Sequence, residues 1–173
     1  VALRYCLALL PALSLGGGCS PLSMAKRGLT ELKGASGKVM PIQEASQAFY
    51  RSTGAFEIGS VVNTIGPVCP PRMCALIEGE LKRQAAEATE GLPGTDVCTA
   101  DVEITYNQPP RGVQVLIGKG TILLGRARLF DERREMRADL LIGVFSRAVR
   151  TTESEMAATF GKTLADHVVE QAD

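Results

Sequence analysis

Residues 121–149 read TILLGRARLFDERREMRADLLIGVFSRAV, and the architecture of the whole chain turns on them. Leu123, Gly125, Ala127 and Leu129 alternate with Ile122, Leu124, Arg126 and Arg128, and Leu140, Ile142, Val144 and Ala148 share one face of the next run. A period of two is the signature of a strand with one buried face. The polar stretch Asp131 to Glu135 joins the two runs, so the segment predicts an antiparallel hairpin whose two apolar faces belong to one core. The other face of the hairpin is mixed, with Leu124, Leu141 and Phe145 among Arg126, Arg128, Asp139 and Arg147.

Working outward, the first strand of the pair extends back to Gly112, with Gly118 and Gly120 marking a bulge or a turn, and the second runs from Met136 to Val149. Before them, Cys98 to Asn107 reads as a strand with Val102, Ile104 and Tyr106 on one face. A further strand from Ala55 places Phe56, Ile58, Ser60 and Val62 together. Between these two, Met73, Ile77, Leu81 and Ala85 recur at helical spacing opposite Glu80, Lys82, Arg83 and Glu87, which predicts an amphipathic helix from about Arg72 to Thr89. Gly91, Pro93 and Gly94 end it. After the hairpin, Thr152-Glu153-Ser154-Glu155 is a capping box. It opens a helix to about Gln171 with the stripe Met156, Phe160, Leu164 and Val168, widened by Ala157, Gly161 and Ala165 for close packing on the sheet. The order strand, helix, strands, helix predicts an α+β domain: a largely antiparallel sheet of four or five strands with two helices on one face.

Composition bounds the function. The 173 residues hold 19 Lys+Arg and 19 Asp+Glu, with 45% hydrophobic and 22% charged residues, which excludes a disordered tail and a polyanion binder working by bulk attraction. Charge is nevertheless segregated. Residues 57–103 carry eight acids and three bases, residues 111–150 nine bases and four acids, and residues 151–173 five acids and one base. Two readings stay open: self-neutralisation within the domain, or a hairpin patch of Arg126, Arg128, Arg133, Arg134, Arg137 and Arg147 for anionic lipid headgroups, glycan or an acidic protein. Nucleic acid is not an expected partner, since few aromatics are available for base stacking.

The first twenty residues, VALRYCLALLPALSLGGGCS, have one base, a short apolar run and small residues before a cysteine. The run is shorter than the roughly 20 apolar residues a membrane-spanning helix needs, and the layout is that of a signal peptide. Gly16-Gly17-Gly18-Cys19 resembles the lipobox of bacterial lipoproteins, although Leu15 stands four residues before the cysteine rather than three. The resemblance implies lipidation of Cys19; plain secretion and a buried N-terminal helix are the alternatives. Residues 1–18 are then a signal peptide, residues 19–54, rich in Ser, Gly, Ala and Lys, a lipid-anchored flexible tether with a short helix allowed within Pro41 to Tyr50, and residues 55–173 the single folded domain.

With that N-terminus, Ala100-Asp101-Val102-Glu103-Ile104 opening one strand and Arg126-Ala127-Arg128-Leu129-Phe130-Asp131 running into a turn, the chain resembles bacterial envelope lipoproteins that carry domain-of-unknown-function modules. Some of those resemble subunits of secretion and transport assemblies. The resemblance implies a non-catalytic accessory or interaction module, held by a lipid anchor at the periplasmic face of a membrane, the outer one by preference, with an envelope protein as partner. It transfers no active-site residue.

Candidate chemistry is sparse. Export would leave Cys69, Cys74 and Cys98 as an odd set, one disulfide and one leftover thiol, with the pairing open. The single histidine, His167, gives a zinc site too few ligands, so neither metal nor cofactor is expected. Gly161-Lys162-Thr163 imitates the end of a phosphate loop but falls within a helix, where the backbone amides are already used. Two alternatives from other classes remain: a small exported hydrolase using a Cys or His167, and a periplasmic lipid or small-ligand carrier. The candidate partner surface is Leu124, Arg126, Arg128, Leu141, Phe145 and Arg147.

Overall fold

The computed structural model describes residues 34–108, 120–148 and 151–173. The predicted signal peptide, Cys19, the start of the tether, and the extension of the hairpin from Gly112 to Lys119 lie outside the described residues.

Five strands form one sheet, β1 (Ser36–Gln43), β2 (Thr53–Asn63), β3 (Asp96–Gln108), β4 (Thr121–Phe130) and β5 (Met136–Ser146), in the spatial order β1-β5-β4-β3-β2. Among the described residues the helices are α1 (Gln47–Ser52), α2 (Pro71–Thr89) and α3 (Glu153–Ala172), with a 3-10 turn at Gly66–Val68. The α+β class and the hairpin hold. Leu123, Ala127, Leu129, Leu140, Ile142 and Val144 are all fully buried, as period-two alternation requires when one face is covered.

Two features depart from the sequence reading. First, the sheet is mixed: β2 runs parallel to β3, while β3–β4, β4–β5 and β5–β1 are antiparallel. The cause is α2. Its 19 residues span about 28 Å at 1.5 Å per residue, enough to carry the chain back to the end of the sheet from which β2 started. Second, residues 34–54, read as part of a tether, are folded. Ser36–Gln43 pairs with β5 as an edge strand, and Ser46 caps α1 by accepting a hydrogen bond from the Phe49 amide at 3.3 Å. An edge strand tolerates Pro41 because one side of its backbone has no strand partner among the described residues, and the register slips between Pro41 and Gln43. The domain therefore starts well before Ala55, and its element order begins strand, helix, strand.

The core lies between one sheet face and the pair α2, α3. Met73, Ile77, Leu81 and Ala85 of α2, and Met156, Phe160, Leu164 and Val168 of α3, are buried there. Gly161 faces α2, not the sheet: a Cβ would lie 3.0 Å from the Glu80 carbonyl, so the absence of a side chain sets how closely the two helices approach. The capping box is formed, with Thr152 Oγ1 accepting from the Glu155 amide at 3.1 Å and the Glu155 carboxylate accepting from the Thr152 amide at 2.7 Å.

Candidate functional site

Among the described residues, α2 and α3 cover one face of the sheet, and the opposite face carries no helix. The cross-strand register lays that face out in rows. At one end Phe145 of β5 stands beside Ser36 of β1 and Ile122 of β4; next come Lys38, Gly143, Leu124 and Tyr106; then Met40, Leu141, Arg126, Glu103 and Val62. A last ionic row contains Asp139, Arg128 and Asp101. The face thus divides into an apolar end and a charged centre. Phe145 is 51% exposed, Tyr106 43% and Met40 42%, while Ile122, Leu124 and Leu141 are half-buried.

The charged centre is internally neutralised. Arg126 donates to both oxygens of Asp139, through Nε at 2.7 Å, and Asp139 is itself buried. The guanidinium holds the Asp139 carboxyl below its ordinary range, and the carboxylate raises Arg126 in return. Arg128 pairs with Glu103 at 3.0 Å and Arg134 with Asp101 at 3.1 Å. Arg134 adopts a left-handed backbone (φ 61°) at the hairpin turn, and its guanidinium lies 4.9 Å over the Phe130 ring. Arg137 pairs with Asp131, whose carboxyl is lowered by that bond and by the amides of Glu135 and Arg133. Of the arginines expected to form a free basic patch, only Arg133 and Arg147 have no ion pair among the described residues. Four of the six hairpin arginines are thus paired within the domain, with acids of β3, β5 and the turn and not with those of the helices.

Leu124, Arg126, Arg128, Leu141 and Phe145 do share this face, and exposed Arg147 follows just past the end of β5. Sequence reasoning missed Met40, because it lies in the unrecognised β1, and misplaced Tyr106 and Val62. A register shift between Ile104 and Tyr106 puts Tyr106 opposite Leu124, away from Val102 and Ile104. Another between Ile58 and Ser60 moves Ser60 and Val62 to the face opposite Phe56, and Ser60 Oγ donates to Asp101 at 2.9 Å. One extra residue in a strand reverses the parity of everything after it.

The chemical candidates are set elsewhere. His167 of α3 packs edge-on against Tyr50 at 6.0 Å, with Nε2 3.5 Å from Glu44 Oε1; the Tyr50 hydroxyl donates to the same oxygen at 2.9 Å. Burial and this hydrogen bond push the Tyr50 phenol far up, so it remains protonated. Asp166 pairs with Lys162 at 2.9 Å, not with His167. Cys98 is fully buried and Cys69 nearly so; desolvation pushes each thiol up to about 12. That is the reverse of the activation a nucleophilic thiolate needs. Lys162 and Thr163 lie mid-helix, with Thr163 Oγ1 donating to the Thr159 carbonyl at 2.7 Å, so no phosphate loop forms.

A carrier reading calls for an enclosed apolar chamber. The depression between α2 and α3 beside Glu87, Lys162 and Asp166, and the one beside Ile122, Phe145 and Arg147, are both open to solvent and of mixed lining. Among the described residues no three His, Cys, Asp or Glu side chains converge as metal ligands would, and no helix is long and apolar enough to cross a membrane.

No family model matches this chain, and neither does any curated protein. Among solved structures, a PelC dodecamer from Paraburkholderia phytofirmans carrying one substitution aligns with 75% of this chain and 95% of its own, at 11% identity and a TM-score of 0.45. A second PelC dodecamer from the same organism aligns over the same shares at 12% identity and a TM-score of 0.41.

Proposed function

We propose that the protein is a non-enzymatic, lipid-anchored module of a bacterial envelope complex, held at the periplasmic face of a membrane through acylated Cys19. It contacts a protein partner through the sheet face that carries no helix among the described residues. The observation that carries this reading is the apolar end of that face, where Phe145, Tyr106 and Met40 are exposed side by side with Ile122, Leu124 and Leu141. Scattered exposed apolar residues are ordinary, but a contiguous cluster on a sheet face without a helix layer is the usual mark of a contact surface. A protein partner is favoured over lipid headgroups or glycan because the arginines of the same face are already paired to Asp139, Glu103 and Asp101. Burial of the Cys69 and Cys98 thiols weighs against the hydrolase alternative, and neither of the two depressions described above offers the enclosed apolar chamber a carrier calls for.

The anchor is tested by intact mass and membrane fractionation of the native protein beside a Cys19→Ala variant. The expected result is a diacylglycerol-bearing or triacylated chain beginning at Cys19 in the membrane fraction, and an unacylated chain in the soluble fraction for the variant. An unmodified native protein in the cytosol overturns the envelope reading.

A further inference from the structure

The three described cysteines are not equivalent. Cys69 and Cys74 bring their sulfurs to 3.1 Å, while Cys98 is buried on β3, facing the core opposite Phe56 of β2. From this geometry we infer that Cys69 and Cys74 are an oxidisable pair, forming a disulfide that staples the N-terminus of α2 to the segment entering it, and that Cys98 is the leftover thiol.

The approach of the two sulfurs follows from the local chain. Pro70 is the N-cap of α2 and Pro71 its first helical residue, so Cys69 is the residue before the cap and Cys74 the fourth in the helix. Side chains at those two positions meet in many helices as an apolar staple that fixes the entry angle of the chain. Here both positions are thiols. The entry segment is also held in place. The Asn63 amide donates to the carbonyls of Gly66 at 2.8 Å and Cys69 at 3.2 Å, the Cys69 amide donates to Gly66 at 3.2 Å, and the two prolines fix their own φ angles. Among the described residues no side chain caps α2, so the disulfide would add a covalent restraint at an end without a capping side chain.

Burial sets the order of the chemistry. Cys69 is 1% exposed, whereas Cys74 is half-buried and meets an external reagent first. The Cys74 thiol loses its proton and attacks one sulfur of an external disulfide, expelling a thiol and leaving a mixed disulfide. Cys69 then loses its proton to solvent and displaces the second external thiol, forming the Cys69–Cys74 bond. Two protein thiols and one external disulfide become one protein disulfide and two external thiols. Burial and the neighbouring Cys74 and Glu153 push the Cys69 thiol up to about 12, which disfavours its thiolate, but a neighbour 3.1 Å away makes the closing step intramolecular. In the cell, the oxidant is a disulfide-bearing oxidoreductase of an oxidising compartment, and that part rests on the export proposed above.

The pairing can be read directly, because Arg72, Lys82, Arg83 and Arg111 place Cys69, Cys74 and Cys98 in three different tryptic peptides. The purified full-length chain is incubated with oxidised glutathione, denatured, alkylated and digested. The expected product links the peptide ending at Arg72 to the peptide beginning at Met73, with the Cys98 peptide alkylated. Cys98→Ser leaves the link intact; Cys74→Ser abolishes it and leaves Cys69 alkylated. A link from Cys98 to either partner, a persistent glutathione adduct on Cys74, or alkylation of both Cys69 and Cys74 overturns the inference. Acid-quenched cells separate the two claims. The same link found in cells supports both. A link that forms in glutathione but is absent from cells leaves the pair standing and counts against the oxidising compartment.

Discussion

Gly125 marks where α3 rests on the sheet: a Cβ there would lie 2.5 Å from Phe160 Cζ and 3.0 Å from the Glu103 carbonyl. The backbone neighbour cannot yield, so Gly125→Ala is expected to destabilise by about 1–3 kcal/mol in chemical denaturation. Gly79→Ala, on a part of α2 where nothing lies within 4 Å, is expected to stabilise by roughly 0.5–1 kcal/mol. A second residue-scale prediction concerns acid. Because Arg126 lowers Asp139 in the folded state, the stabilisation from this carboxylate is present above the unfolded carboxyl range, near about 4, and is lost as pH falls through the folded value. Asp139→Asn is therefore expected to melt lower than the native protein at pH 7, with the gap closing in melts taken at progressively lower pH. Little of this was legible in the sequence. Arg126 and Asp139 are thirteen positions apart, and it is the hairpin register that makes them partners. The alternation exposed the hairpin itself, but charge composition could not distinguish a free arginine from a paired one.

Elements differ in how far local sequence specifies them. The capping box and the Phe160 stripe of α3 were legible because both are short-range patterns, and the structure forms them. Thr152→Ala removes the acceptor for the Glu155 amide and is expected to cost about 1 kcal/mol of unfolding free energy. Strand β1 was not legible. Its residues SGKVMPIQ are nearly all exposed, so no apolar alternation marks them, and the strand exists through its pairing with β5. The bulges near Thr105 and Gly59 were hidden for the same reason: which residue is left unpaired depends on the partner strand. The parallel pairing of β2 and β3 was implicit in the length of α2, but a strand, helix, strand order alone does not exclude a return on the other side.

At the scale of the molecule, one sheet face is closed by α2 and α3 and the other bears an apolar end beside a self-neutralised centre. Substituting the exposed end should separate stability from contact. Phe145→Glu is expected to leave the melting temperature of the purified protein nearly unchanged, since the residue is 51% exposed, while weakening association with the proposed envelope partner. The candidate surface was half legible: five of its residues follow from the hairpin alternation, but Met40 and Tyr106 needed β1 and a bulge to bring them there. The most direct test of this account is hydroxyl-radical footprinting of the protein in intact envelopes against the purified full chain, read at individual side chains. The account predicts protection of Met40, Tyr106 and Phe145 in the envelope and no change at Leu76 on α2. Equal labelling of the face in both preparations, or protection confined to the helices, would contradict it.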